Sequence, residues 1–355
     1  MPPFNAKSLP VLIGSLPLDS HLQAVEQIFE YTPQIPLWPQ LPVNKNEGML
    51  LQFLPGMPGV TTKADKIFID TESPEFETEL LSFFEDYLMV MEGAAEIDES
   101  RFKMSPEEGG GFFTFLQFAE KYKEHLTALK GQVTGPVTFC TVLVDQAGRA
   151  VFYNDQLRDA AVKHLALKAK WQARQMAKIK ETPLVFFDEP GLAGVGSSAF
   201  ITITPEDIKA CLSEVFEAVH AEGGLVGVHV CANTEWSIIF DSGADIVSFD
   251  AYAYFDKFIL YPDHLRTFFE RGGICASGIV PTTPEHIELE NIESLAQKWF
   301  EQSAQLEKIG IPARKIYEQT LITPSCGTGT ISEHHAVKVM ELTRDVSARI
   351  RSQYL

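Results

Sequence analysis

One pattern governs what this chain can fold into. Eight times along its 355 residues a short apolar run ends in Gly, Pro, Ser or Asp and gives way to a longer stretch with helical spacing. The runs are VLIGSLP (11–17), MLLQFLPG (49–56), GQVTGPVTF (131–139), PLVFFDEPG (183–191), GLVGVHVC (224–231), ADIVSFDAY (244–252), GICASGIVP (273–281) and IYEQTLITPSCG (316–327). Clear helical patterns lie at 157–180, 204–223 and 293–310. The middle one opens on Thr204 with Asp207 three residues on, a capping pattern, and closes on Gly223. Near-continuous apolar strands alternating with helices specify a parallel sheet. Eight such units predict a closed (β/α)8 TIM barrel, an α/β fold in one domain over 1–355. A Glu- and Phe-rich helical section over 72–125 is inserted between the second and third runs.

The bulk properties narrow the partners. A composition of 45% hydrophobic and 22% charged residues fits a globular protein with a large core. The formal charge of −19 argues against nucleic acid and anionic membrane surfaces, both of which need a basic face. No segment nears the roughly 18 uninterrupted apolar residues of a membrane span. The opening MPPFNAKSLPVLIGSLP lacks the basic and long apolar regions of a signal peptide. Cys140, Cys211, Cys231, Cys275 and Cys326 are an odd number, widely scattered, and do not form a disulfide framework. A cytoplasmic protein with reduced thiols is the expectation.

In a TIM barrel the chemistry sits where strands end and βα loops begin. The polar residues at those ends are Ser15, Asp188 with Glu189, His229 with Cys231, Asp250 and Cys326. Residues two apart on a strand share a face, so His229 and Cys231 point the same way. Taken alone, such a pair is more often core filling, because free cysteine is among the most buried residue types. Cys326, in TPSCGTG, changes the balance: a thiol among Pro, Ser and Gly packs poorly and leaves room for a metal or substrate. Two thiolates, one imidazole and an oxygen from Asp250 or water make a tetrahedral zinc set. Two thiolates quench the charge of the ion, which suits it to holding a thiol substrate rather than making hydroxide. A purely structural zinc is the rival reading. Cys140, Cys211 and Cys275 have apolar or helical surroundings and read as structural.

Adjacent residues face opposite ways on a strand, so only one of Asp188 and Glu189 points inward. Asp188 is the choice for contact with a substrate ammonium; the alternative is a carboxylate that orients His229 or caps a helix. Gly14 and Ser15 sit on a short loop where backbone N–H and hydroxyl suit a carboxylate, though the sequence is also an ordinary turn. Thr134 and Thr138 flank a Gly-Pro bend that lines the mouth or shapes it. His21, His125, His164, His334 and His335 show no clear partners and read as surface or packing residues.

These motifs, in this order, resemble the catalytic barrel of cobalamin-independent methionine synthases. His229-x-Cys231, the acidic end of ADIVSFD and Cys326-Gly327 are similar to that family's zinc site; IGSLP, GQVTGPVT and FDEPG are similar to its other landmarks. The likeness runs from Ile13 to about Cys326. It implies a zinc-dependent thiol S-methyltransferase in which zinc holds the acceptor, homocysteine or another small thiol, as thiolate. It implies His229, Cys231 and Cys326 as ligands, with Asp250 where the family has glutamate and so a doubtful fourth. Ser15 and Asp188 match positions that contact the acceptor's carboxylate and amine. Two departures stand out: there is no room for the second, folate-binding barrel, and the family's His-Gly-Glu segment is missing, FLPGMPG standing in the second run. A single barrel looks like the short forms that take methyl from a methylated corrinoid protein, so methylcobalamin or a corrinoid protein is the implied donor. The wider superfamily offers uroporphyrinogen decarboxylase as the alternative, a cofactor-free decarboxylase that needs arginines near the amino terminus; the first arginine here is Arg101. The Asp-x-His-x-x-Gly motif of a corrinoid carrier is absent.

Overall fold

From the third run onward, the apolar runs become strands. The computed structural model describes residues 4–194 and 202–354. Two short strands, β1 (Val60–Lys63) and β2 (Lys66–Ile69), form an antiparallel hairpin. Six others, β3 (Leu129–Thr134), β4 (Pro183–Asp188), β5 (Leu225–Val230), β6 (Ile246–Phe249), β7 (Ile274–Val280) and β8 (Thr320–Pro324), make one parallel sheet in sequence order. The protein is a mixed α/β fold, with helices between successive strands of this sheet.

The two-residue period of a strand sorts its side chains onto two faces. Leu184, Phe186, Ile246, Ile274 and Ala276 join Ala6, Leu9, Val11 and Ile35 in one apolar cluster. Their neighbours Val185, Phe187, Val247 and Cys275 belong to a larger cluster that includes the helices. Gly227 makes room for Phe186: a Cβ there would sit 2.8 Å from the ring.

The first two runs depart from expectation. Run 11–17 is extended without forming a regular strand. It lies beside β8, with Val11 N–H donating to the Ile322 carbonyl and Ile322 N–H to Leu9, both at 2.9 Å. Run 49–56 supplies no strand at all; Leu51–Phe53 is a single 3-10 turn. Its expected place beside β3 is taken by residues 35–40, IPLWPQ, where Lys130 N–H donates to the Pro36 carbonyl at 3.0 Å. Pro36 and Pro39 cannot donate to a ladder, so pairing is reduced to isolated bridges and the segment reads as a loop. Gln40 N–H donates to Gly14 at 3.1 Å and Leu16 N–H to Gln40 at 3.0 Å, joining the two irregular segments to each other.

The helices follow their signals more closely. Helix α1 (His21–Tyr31) follows the first run, and α2 (Phe76–Met91) and α3 (Gly110–Tyr122) make up the inserted section, which the β1–β2 hairpin extends upstream. Next come α4 (Pro136–Val142), α5 (Asp155–Ala177) and α6 (Pro205–His220), and the last pattern becomes helix Ile292–Lys308. In α6 the Thr204 hydroxyl accepts from Asp207 N–H while the Asp207 carboxylate accepts from Thr204 N–H, both at 3.1 Å. No described helix is long and apolar enough to cross a membrane.

At the far end of α6, His220 Nε2 lies 2.8 Å from Asp245 Oδ2, tying the helix to the β5–β6 connection. That hydrogen bond raises the imidazole pKa against the opposing effect of burial. A raised histidine pKa stabilises the fold fully below the unfolded value, and the contribution disappears as pH rises through the folded one. Urea midpoints measured between pH 6 and 9 should therefore fall slightly. The loss should stay under about 1 kcal/mol at this half-exposed site, and His220→Gln should remove that part of the slope.

Candidate metal centre

Strand β5 delivers His229 to the carboxyl edge of the sheet, and Cys231 follows just beyond the strand's last residue. Cys326 comes from the loop after β8. A ring nitrogen of His229 and the sulfurs of Cys231 and Cys326 lie within 4.8 Å of one another. Among the described residues this is the only such group of three histidine, cysteine or acidic side chains. His229 and Ser248 are register partners on β5 and β6, and the serine hydroxyl lies 2.9 Å from His229 Nδ1. That contact leaves Nε2 buried with no hydrogen-bond partner. With Nδ1–H donating to Ser248, Nε2 presents a buried lone pair beside two thiols, the arrangement a soft cation requires. Burial, aided by the Lys130 charge, holds His229 down to about 3, so the ring is neutral.

The thiols are coupled. A hydrogen bond from Cys326 brings Cys231 down to about 7, and the same contact with burial pushes Cys326 up. Both are partly exposed, whereas Cys140, Cys211 and Cys275 are buried, with their thiols pushed up by burial. Those three are packing residues, as their contexts indicate.

A cleft of about 320 Å³ opens beside the cluster, lined by Gly14, Ser15, Met49, Asp188 and Pro190 among others. Asp188 Oδ1 is buried without a hydrogen-bond partner. Burial raises this carboxyl to about 6, and the Lys130 charge opposes the rise. Lys130, from β3, is itself buried; its Nζ donates to the Ile13 carbonyl at 2.5 Å and sits 4.6 Å above the Phe186 ring. This buried lysine, brought down to about 8 by burial, was not expected from sequence, where KGQVTGP reads as an ordinary strand opening.

Several expected residues turn out to serve the scaffold. Glu189 points away from the cleft, its carboxylate accepting from Val137 N–H at 2.9 Å, Thr138 N–H at 2.7 Å and the Thr138 hydroxyl at 2.6 Å. It thus ties the β4 end to the first turn of α4. Thr138 shapes the bend, and so does Thr134, whose hydroxyl donates to Met49 O at 2.6 Å. Asp250 is not part of the three-residue group; it caps the helix Ala251–Phe258, accepting from Ala253 N–H at 2.8 Å. An aspartate that begins a helix is held by the helix's own amides, so Asp250 stands outside the group in this conformation. His21, taken as partnerless, lies 2.7 Å from Glu47 on the cleft rim. His335 is likewise 3.3 Å from Glu288, and buried His164 contacts the Phe53 carbonyl at 2.8 Å.

Because Ser248 fixes the ring through Nδ1, Ser248→Ala should weaken metal binding by roughly 10–100-fold without removing a ligand. Competition against a chromogenic chelator would measure it; unchanged affinity would show that the contact does not orient the ring.

No family model matches the chain, and no curated protein matches it. Among solved structures, A. niger ochratoxinase aligns at 12% identity with a TM-score of 0.29, over 68% of this chain and 65% of that one. The alignment thus spans less than two-thirds of that protein.

Proposed function

We propose that this protein is a zinc-dependent thiol S-methyltransferase on a closed, single-domain (β/α)8 barrel, transferring methyl from a methylcorrinoid to a small thiol such as homocysteine. The convergence of His229 Nε2, unpartnered and buried, with Cys231 and Cys326 carries the reading. The backbone bridges of Pro10 to Ile322 in β8, of Ser15 to Gln40, and of Leu37 to Lys130 in β3 support closure of the ring. His229, Cys231 and Cys326 would hold the ion, with the fourth position left to the acceptor. Zinc would supply a Lewis acid that lowers the pKa of the acceptor thiol and presents its sulfur for methylation.

The surrounding residues have separable tasks. His229 remains neutral and offers its lone pair; Ser248 fixes the ring. Asp188 faces the acceptor with a free oxygen, suited to an ammonium group. Ser15 keeps its O–H free to donate toward an acceptor carboxylate, because its oxygen serves as an acceptor elsewhere. Lys130 places a positive charge near Asp188, favouring the ionised form of that carboxyl. Five unpaired cysteines fit a reducing cytoplasm. The corrinoid donor follows from the likeness of the sequence to the single-barrel forms of the family.

Metal content of protein purified under reducing conditions tests this directly, followed by incubation with methylcobalamin and a panel of thiols, reading thioether by mass spectrometry. About one zinc per chain and a methylated thiol are expected. Failure to take up zinc, even on reconstitution, would overturn the reading and return the decarboxylase to first place.

A further inference from the structure

Cys326 is held from both sides. Ahead of it, Ser325 N–H donates to Val280 O at the end of β7, at 2.8 Å. Behind it, the chain is fastened to Ser15: Thr328 N–H and the Thr328 hydroxyl donate to the Ser15 carbonyl at 3.0 and 3.1 Å. Gly329 N–H donates to Ser15 Oγ at 3.2 Å. The fit leaves no spare volume. A Cβ at Gly327 would overlap the Ser15 hydroxyl, and one at Gly329 would lie 2.8 Å from Ser15 Cβ and 2.9 Å from Ser15 Oγ.

We infer that Ser15 is a positioning residue for Cys326, seating the loop so that the sulfur meets Cys231 and His229, in addition to any contact it makes with an acceptor. The inference rests on the metal-centre reading. The alternative, Ser15 as a substrate contact only, predicts no effect on the ion. Two hydrogen bonds to the Ser15 carbonyl, a third to its hydroxyl and two glycines packed on its side chain favour a clamp, because a loop of Pro, Ser, Gly and Thr has little apolar burial to hold it. It follows that the metal is bound tightly only when residues 9–16 are docked against β8.

Cobalt(II) titration tests this, since sulfur-to-cobalt charge-transfer absorption reports the number of bound thiolates. Wild type should show a two-thiolate band. Ser15→Ala, which removes the Gly329 bond and leaves both carbonyl bonds, should bind cobalt roughly 10-fold more weakly, with the band per bound ion reduced. Thr328→Val, which keeps Ser15 and also removes one clamp bond, should shift affinity in the same direction by a similar amount, and guards against misfolding of the first variant. Wild-type affinity and band intensity in both variants would overturn the clamp while leaving the metal centre standing. A wild type that binds no cobalt would sink the metal centre, and the clamp with it.

Discussion

Cys231→Ser and Cys326→Ser should each abolish stoichiometric zinc while leaving the fold in place. A serine hydroxyl stays protonated at neutral pH and is a poor ligand for zinc, so each change removes one of the three proposed ligands. Apparent zinc affinity should fall by roughly a thousandfold or more. Both residues are partly exposed at the carboxyl edge of the sheet, outside the apolar clusters. The metal-free variants should therefore unfold within about 0.5 kcal/mol of metal-free wild type. Wild type alone should gain thermal stability on adding zinc, because an ion bound only by the folded state shifts the equilibrium toward it. Melting curves with and without zinc read both effects at once. Zinc retained by either variant would mean that its sulfur is not a ligand.

Gly135→Ala should be the most destabilising single methyl added near the site. Its backbone is unremarkable, with φ at −66°, so the cause is volume alone. A Cβ there would overlap the Glu189 carboxyl group. That carboxyl cannot swing aside without abandoning three buried donors, each costing about 1–3 kcal/mol when orphaned. A loss of about 3 kcal/mol or more is expected by urea unfolding. Glu189→Ala should cost a similar amount, and the double variant should cost much less than the sum, since removing the carboxylate makes room for the methyl. Additive costs would show that the two residues do not meet.

This pair also marks where sequence reading works and where it stops. Strand alternation turns only one of adjacent Asp188 and Glu189 inward, and Asp188, the first after the apolar run, is the choice. That Glu189 would grip the amides of α4 was invisible, because residues 137–138 lie some fifty positions away. Asp250 is a local case: its capping of Ala253, three residues on, depends on a helix beginning at its own position. The second extended segment was hidden for a different reason: IPLWPQ carries two prolines, and run 49–56 offered a more continuous apolar stretch. Lys130 gave no signal because a lysine opening a strand usually lies in solvent. By contrast His229, Cys231 and Cys326 were legible, since a strand period and a small-residue loop constrain where their side chains can go.

The pairing of residues 9–11 with Ile322, and of Ser15 with Thr328, sets an order of assembly. Contacts between positions more than 300 apart form late, because the closure entropy of so long a loop must first be offset by what lies between. On the ribosome, the first apolar segment to emerge waits until residue 328 has been made before it can be seated. Until then the inner face of the sheet lacks Ala6, Leu9 and Val11, and the loop bearing Cys326 has nothing to close upon. A protein arranged this way leaves part of that apolar face uncovered during synthesis and brings Cys326 to His229 and Cys231 late in folding.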